Sequence, residues 1–440
     1  ADKIAYTPGL ILSLILHSCI ILYIPLYFPS ILFPIRNTNF LNKINRYFNF
    51  YIFMLILYNA LYYIRSTILS INFIRGNNMK RNPSIELCRL LACLIVIGVH
   101  TSLSAAVNEH SWDTFRLFLN CLLADGVAIF FMITGAFLFN NEYSRLLKKT
   151  LKHIIIPLII FSIIGFYCFN WLFDKQPLSL HIAASKYIDT FRTLLSWQNP
   201  ISHSVHLWYL YVYILVILIY PLLKAFVDYL DADTNRTKIF LIGTFIFLIM
   251  NDISSNSLGA FSHHSINALV PASIEIIWGH IFYKYQKIFT RKLAIPVSIF
   301  LFFSLNYLRS LIQLHRYSLE TPNNYILFWY SSIGIICASA IFIFCSSVIK
   351  APVPSNIIQK FICWLAFPVY LIHIPIRDLL ATYNVPTMLN HFMFSHFSEF
   401  IADILYNSSI VLIIFVICLI ISILFRNIKK LLNKVIHCFA

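Results

Sequence analysis

Three ionisable residues lie within one apolar stretch of the sequence, and their spacing places them on one helical stripe. The stretch covers residues 82–104, is long enough to cross a bilayer, and contains Glu86, Arg89 and His100. Arg89 and His100 are eleven positions apart, which at about 100° per residue is three turns with roughly 20° left over. At a rise of about 1.5 Å per residue, the two lie about 16 Å apart along the helix axis.

An ionisable side chain inside a membrane is costly unless it faces protein or water, so each of these residues is a candidate functional residue. Glu86 precedes Arg89 by three positions, which is the spacing of an ion pair on one helix face. The planar guanidinium of Arg89 suits phosphate or carbonyl ligands, and the imidazole of His100 can take up a proton near neutral pH. The stretch therefore combines a paired cation near one end with a titratable group near the other.

The composition of the whole chain is that of a polytopic membrane protein. Of its 440 residues, 59% are hydrophobic and only 11% are charged. Apolar runs of about 18 to 25 residues have the length of a membrane-spanning helix, and they lack the alternation of a transmembrane β-strand. We therefore predict an all-α fold, a polytopic transmembrane helix bundle embedded in the lipid bilayer.

About ten spans are predicted in the core, and two further spans are possible before it. The predicted core spans are 84–104, 116–139, 153–173, 205–225, 239–255, 267–283, 293–312, 325–349, 361–381 and 402–425. With this assignment, the loops on one side carry more than twice as many Lys and Arg residues as those on the other, to which Arg309 is assigned. Basic residues collect in cytoplasmic loops, so both ends of the core are predicted to be cytoplasmic. The same preference accounts for the net charge of +16 without a nucleic-acid partner.

The chain is predicted to divide into three parts. Residues 79–430 form the membrane core, and residues 431–440 form a basic C-terminal tail. Residues 1–78 contain the two possible N-terminal spans and are either an accessory helical hairpin or an extension foreign to the core. The ten cysteines form no CxxC pair, so we predict neither a metal site nor a disulfide framework.

Four short segments, in order along the chain, resemble the acyltransferase-3 family of integral-membrane O-acyltransferases. The first is IELCRLLACLIVIGVH, in which a basic residue, ten intervening residues and a histidine correspond to Arg89 and His100. The other three are GVAIFFMITGAFLF at 126–139, HLWYLYVYIL at 206–215 and FPVYLIHIPI at 367–376.

The resemblance implies transfer of an acyl group, usually acetyl, from cytoplasmic acyl-CoA to a carbohydrate hydroxyl. The acceptor would be a cell-surface or lipid-linked glycan, such as lipopolysaccharide or another polysaccharide, and the protein would lie in the plasma membrane, the inner membrane of a bacterium. Acetyl-CoA is then a donor substrate, and no permanently bound cofactor is expected. On this interpretation Arg89, paired with Glu86, binds the donor, and His100 acts as a base or carries the acyl group itself.

Further candidate residues lie in the other matching segments. His373 is a second candidate catalytic residue, and it could converge with His206 on the histidine of the first segment. His206, Trp208, Tyr370 and Thr134 are candidate substrate-binding residues, and Thr134 stands where the family usually has serine. Each buried histidine also has a plainer interpretation, because it can be a polar group that only bonds to a neighbouring helix.

Two carboxylates and an aromatic pair complete the set of candidates. Asp125 could orient an imidazole as a carboxylate does in a catalytic triad, and Glu275 is another candidate acid. The pair Phe130 and Phe131 is predicted to pack between helices rather than to form an acyl pocket.

A transporter or flippase is the alternative function. An acylated or anionic intermediate would be its substrate, and the Arg and His of the first segment would relay substrate and protons instead of catalysing transfer. No tandem inverted halves are visible in the sequence, which disfavours a secondary transporter.

Overall fold

The structure, a computed structural model, describes residues 82–101, 114–159, 161, 205–254, 268–290, 293–317, 330–348 and 357–439. Within these ranges the chain is helical and contains no β-strand, which confirms the all-α prediction for the described part. The predicted extension 1–78 and most of the predicted third span lie outside the described residues.

The helices are numbered here along the chain. They are α1 (Pro83–Thr101), α2 (Thr114–Leu122), α3 (Gly126–Leu138), α4 (Tyr143–Thr150), α5 (Trp208–Leu218), α6 (Tyr220–Asp231), α7 (Thr234–Ser254), α8 (Leu269–Lys284), α9 (Gln286–Phe289), α10 (Ala294–Tyr317), α11 (Ser332–Val348), α12 (Ile357–Thr382), α13 (Val385–His396) and α14 (Glu399–Phe439). A π-helical turn, Leu151–Ile155, follows α4, and a 3₁₀ turn, Val205–Leu207, precedes α5.

Several helices of the described part can cross a membrane. Four stretches are long and apolar enough, namely Ser84–Thr101, Phe115–Leu138, Ala294–His315 and Glu399–Leu424. The bent pair α5 and α6 adds a fifth if it forms one span. The chain is therefore a helical membrane protein, and the count of about ten spans stays a prediction.

Two predicted spans are interrupted in the structure. The span predicted over 205–225 is bent by 69° between α5 and α6. Pro221 lies in the first turn of α6, where a missing N–H is tolerated, but a proline cannot continue the hydrogen bonds of α5. The span predicted over 116–139 has a turn at 123–125 that separates α2 from α3.

The last part of the chain is more helical than predicted. The segment between the ninth and tenth predicted spans contains α13, Val385–His396. The final helix, α14, continues to Phe439, so the predicted tail is helical as far as that residue.

The backbones of α3 and α8 pack in close contact. A Cβ atom added to Gly135 would collide with the backbone oxygen of Ile276, and one added to Gly279 would collide with that of Met132. Small residues at membrane helix interfaces let two backbones approach in this way. The two glycines therefore determine the position of α3, which carries Thr134 and Phe130.

Replacing Gly135 or Gly279 by alanine is expected to force α3 and α8 apart. Overpacking of this kind costs about 1–3 kcal/mol, so the melting temperature of the purified protein should fall. Gly243→Ala in α7 is the matched control, because nothing lies within 4 Å of its Cβ position. That variant should be neutral or slightly stabilising, since alanine is the better helix former. Equal melting temperatures for all three variants would contradict the packing argument.

Candidate functional site

Helix α1 carries the three ionisable residues of the first segment without a break. Arg89 Nη1 donates to Glu86 Oε2 at 2.6 Å, so the predicted ion pair is present. His100 lies in the last turn of the same helix. Because α1 is continuous, the helical rise separates Arg89 from His100 by about 16 Å.

Three histidines from segments far apart in sequence converge at the His100 end of α1. The ring centroids of His100 and His373 are 5.4 Å apart, and those of His100 and His206 are 6.5 Å apart. The rings of His206 and His373 are closer still, at 4.6 Å, and both residues are almost fully buried. These three residues are termed the histidine cluster.

The orientation of His206 depends on a proline in α12. Pro375 lies inside that helix and has no N–H to donate to the carbonyl four residues earlier, which is that of Leu371. The Nε2 atom of His206 lies 3.3 Å from this carbonyl oxygen and takes the vacant place. Because a carbonyl only accepts, Nε2 carries the proton. The Nδ1 atom is then an acceptor, and it has no partner among the described residues.

Tyr370 connects the two buried histidines of the cluster. Its hydroxyl donates to the backbone oxygen of His206, and its own backbone oxygen lies 2.6 Å from His373 Nδ1. The proton of His373 is therefore on Nδ1, which leaves Nε2 as an acceptor without a partner in the described part of the chain. Each of these imidazoles thus keeps one unprotonated nitrogen, the form needed to accept a proton from a hydroxyl.

Arg377 belongs to the site but was not recognised from the sequence. It follows His373 by one turn of α12, and its Nη1 donates to the backbone oxygen of His100 at 3.1 Å. The last carbonyls of a helix lack helical partners, so this bond satisfies the end of α1. Arg377 also pairs with the adjacent Asp378, with Nε and Oδ1 2.7 Å apart. No local pattern in the sequence distinguishes it from other basic residues at a helix end.

A cavity of about 530 Å³ opens beside Arg89 and is termed the Arg89 cavity. Its wall is mostly apolar and aromatic, but Arg89, Lys149 and His153 place basic groups on it. Partial burial and a neighbouring arginine lower the pKa of Lys149. The predicted substrate-binding residues Thr134 and Tyr370 also line this cavity.

A second, narrow cavity lies between the Arg89 cavity and the histidine cluster. Its lining residues are Cys93, Val96, Ile97, Phe130, Val369, Tyr370 and His373. No part of it is wide enough for a water molecule. Phe130 and Tyr370 line both cavities, so their side chains separate Arg89 from the histidines.

The two adjacent phenylalanines of α3 have different surroundings. Phe131 is fully buried and packs against Tyr209, with ring centroids 4.7 Å apart, as the packing prediction requires. Phe130 is only partly buried, and its side chain lines both cavities. The packing interpretation describes both residues, because the Phe130 ring also packs against the core, with its centroid 6.2 Å from that of Tyr209, and it lines the cavities as well.

Asp125 does not orient an imidazole, so that prediction is wrong. Its two carboxylate oxygens accept from Arg309, with Oδ1 3.0 Å from Nη2 and Oδ2 3.1 Å from Nη1. Arg309 is counted among the basic residues of the outer side, and it is fully buried inside α10, within the span predicted over 293–312. The pair joins α10 to the turn between α2 and α3, where the backbone leaves helical geometry.

Two other candidates are buried away from both cavities. Glu275 is 1% exposed, and its carboxyl oxygens have no partner among the described residues. Trp208 is buried at the start of α5. Neither residue lines the Arg89 cavity or the narrow cavity.

These features define a helical membrane protein in which one membrane-spanning helix joins a basic cavity to a histidine cluster. Residues 82–426 match the model of the acyltransferase-3 family, which is described as an acyltransferase domain. The match covers most of the chain, so this protein belongs to that family, and the predicted resemblance is confirmed. No curated protein and no solved structure matches the chain.

Pro375→Ala is expected to lower acyltransferase activity without lowering stability. Alanine would supply the missing N–H, so the carbonyl of Leu371 would gain a helical donor in competition with His206. A misplaced catalytic group can reduce a rate by up to about a hundredfold. Pro296→Ala is the matched control, because Pro296 lies in the first turn of α10, where no helical acceptor is vacated. An unchanged rate in a Pro375 variant of equal or higher melting temperature would contradict the assignment.

Proposed function

We propose that this protein transfers an acyl group, with acetyl-CoA as the donor, to a hydroxyl of a cell-surface or lipid-linked glycan. The observation that carries the proposal is the arrangement along α1, in which a basic cavity at Arg89 and the histidine cluster at His100 are separated by a narrow, dry cavity. Family membership supplies the reaction class. The two ends of α1 then serve the donor and the acceptor separately.

The Arg89 cavity has the chemistry of a donor site. Its volume of about 530 Å³ lies in the range of small-molecule pockets. Arg89, oriented by Glu86, together with Lys149 and His153, can bind the phosphates of CoA, which are recognised by charge-assisted hydrogen bonds. The apolar part of the wall, towards Phe130, suits the thioester arm.

The histidine cluster has the chemistry of an acceptor site. A glycan hydroxyl placed there would lose its proton to an imidazole, with His100 as the base or the acyl carrier and His373 Nε2 as a neighbouring acceptor. The C–S bond of the thioester breaks and a C–O ester bond forms. The proton removed from the hydroxyl passes through the imidazole to the departing CoA sulfur, so the products are the acylated glycan and CoA.

The orientation in the membrane follows from charge and from the donor. Acyl-CoA is a cytoplasmic metabolite, so the Arg89 end of α1 should face the cytoplasm of a bacterial inner membrane. The excess of Lys and Arg in the loops on that side supports the same orientation. The His100 end, and with it the acceptor, then faces outward.

His100→Ala is expected to abolish transfer while the protein still reaches the membrane in normal amount. The measurement is mass spectrometry of surface glycans from cells with the wild-type protein, with the variant and without the protein, comparing ester-linked acyl groups. His391→Ala, at an exposed histidine of α13, is the matched control and should behave as wild type. Full transfer by the His100 variant would remove its central role, and no acyl ester in wild-type cells would contradict the proposed reaction.

Arg89→Gln is expected to weaken donor binding more than it slows turnover. A hydrogen bond to a charged group contributes about 1.5–3 kcal/mol, so the KM for acetyl-CoA should rise by roughly tenfold to a hundredfold. Arg236→Gln serves as the control, because Arg236 is a partly exposed residue whose ion pair is with Asp233, outside the Arg89 cavity. An unchanged KM in the Arg89 variant would exclude it from the donor site.

A further inference from the structure

We propose that the narrow cavity is the acyl pocket, and that Phe130 determines the length of the acyl group that passes from the Arg89 cavity to the histidine cluster. This inference rests on the proposed function, which requires an acyl carbon to travel from a thioester beside Arg89 to an acceptor beside His100. The narrow cavity lies between these two places. Phe130 and Tyr370 form the boundary, because both line the narrow cavity and the Arg89 cavity.

The chemistry of the narrow cavity suits a short hydrocarbon group next to a reacting carbonyl. Val96, Ile97 and Val369 give it apolar walls, and His373 is the one imidazole on it. His373 is 1% exposed, and its Nε2 has no partner among the described residues. An acyl group that enters fills the space between these apolar walls and leaves no room for water, which protects the thioester from hydrolysis.

Two walls of the narrow cavity are prevented from moving by contacts on their other sides. On the α1 side, Val96 packs directly on Gly126, where an added Cβ would lie 2.6 Å from Val96 Cγ2. On the α12 side, Tyr370 is tied by its hydroxyl to the backbone of His206. A longer acyl chain cannot push either wall back without breaking these contacts.

Phe130 differs from both of these walls. Its side chain cannot form a hydrogen bond, and it is only partly buried because one side faces the Arg89 cavity. Its ring can therefore turn towards that cavity and admit a small group while the other walls stay in place. Of the possible acyl groups, acetyl then needs the smallest displacement of the Phe130 ring. Each further methylene of a longer acyl group needs space that Val96 and Tyr370 do not provide.

The test measures the choice between two donors. Membrane vesicles are prepared from cells that contain the full chain, with the Arg89 side of the protein facing the outer solution. Equal amounts of acetyl-CoA and propionyl-CoA are added to that solution. Mass spectrometry then counts the ester-linked acetyl and propionyl groups. The wild-type protein should favour acetyl by roughly tenfold or more, the usual effect of one methylene in a hydrophobic pocket. Phe130→Leu should lower this ratio by at least about threefold.

Two further variants separate the acyl pocket from a general effect on packing. Phe131→Leu is the matched control, because Phe131 lies next to Phe130 but lines neither cavity, and its ratio should equal that of wild type. Ile97→Val removes one methylene from another wall of the narrow cavity and should lower the ratio as Phe130→Leu does. An equal shift in the Phe131 variant, or an unchanged ratio in both cavity variants, would overturn the inference.

Two results with the wild-type protein distinguish this inference from the proposed function. Equal transfer of acetyl and propionyl groups would leave the acyltransferase proposal in place and remove the acyl pocket. No ester of either group, together with no release of CoA, would remove the proposed function, and the acyl pocket with it.

Discussion

The site depends on a constraint that the membrane imposes, namely that every backbone polar group in the hydrocarbon region needs a partner inside the protein. Pro375 removes one helical donor from α12, and the imidazole of His206 replaces it at the carbonyl of Leu371. The hydroxyl of Tyr370 then donates to the backbone oxygen of His206, and the backbone oxygen of Tyr370 accepts from Nδ1 of His373. Because these bonds use one nitrogen of each imidazole, the other nitrogen is held as an acceptor. The donor missing at Pro375 therefore determines the position and the tautomer of His206, and the backbone oxygen of Tyr370 determines those of His373.

The same part of the chain lies between the Arg89 cavity and the histidine cluster. A protein that passes an acyl group through a bilayer has to let that group through while excluding water and ions. Here the side chains of Phe130 and Tyr370 lie between the Arg89 cavity and the histidine cluster, and the space around them is too narrow for water. The close packing of α3 on α8 through Gly135 and Gly279 determines where Phe130 can lie. Helix packing thus influences the position of an aromatic ring that lines both cavities.

Two ion pairs of the described part differ in burial. Asp125 and Arg309 bond to each other through two hydrogen bonds and are excluded from solvent, so their charges stabilise the junction of three helices. Glu86 and Arg89 form a similar contact, but the Arg89 side chain is 25% exposed and lines a cavity. A paired arginine that still reaches open space can exchange part of its bonding to a ligand. The surroundings of each pair, and not its composition, decide which role it has.

The sequence by itself determined the features that depend on local periodicity and composition. The stripe of Glu86, Arg89 and His100 follows from helical geometry, and the membrane class follows from the length of the apolar runs. The four matching segments predicted the family. The tertiary structure decided which residues meet, because His100, His206 and His373 are brought together by packing between distant segments. It also decided that Asp125 bonds to Arg309, and that Phe130 lines the cavities while Phe131 is fully buried, since adjacent residues on a helix point about 100° apart and only the neighbouring helices determine what each one meets.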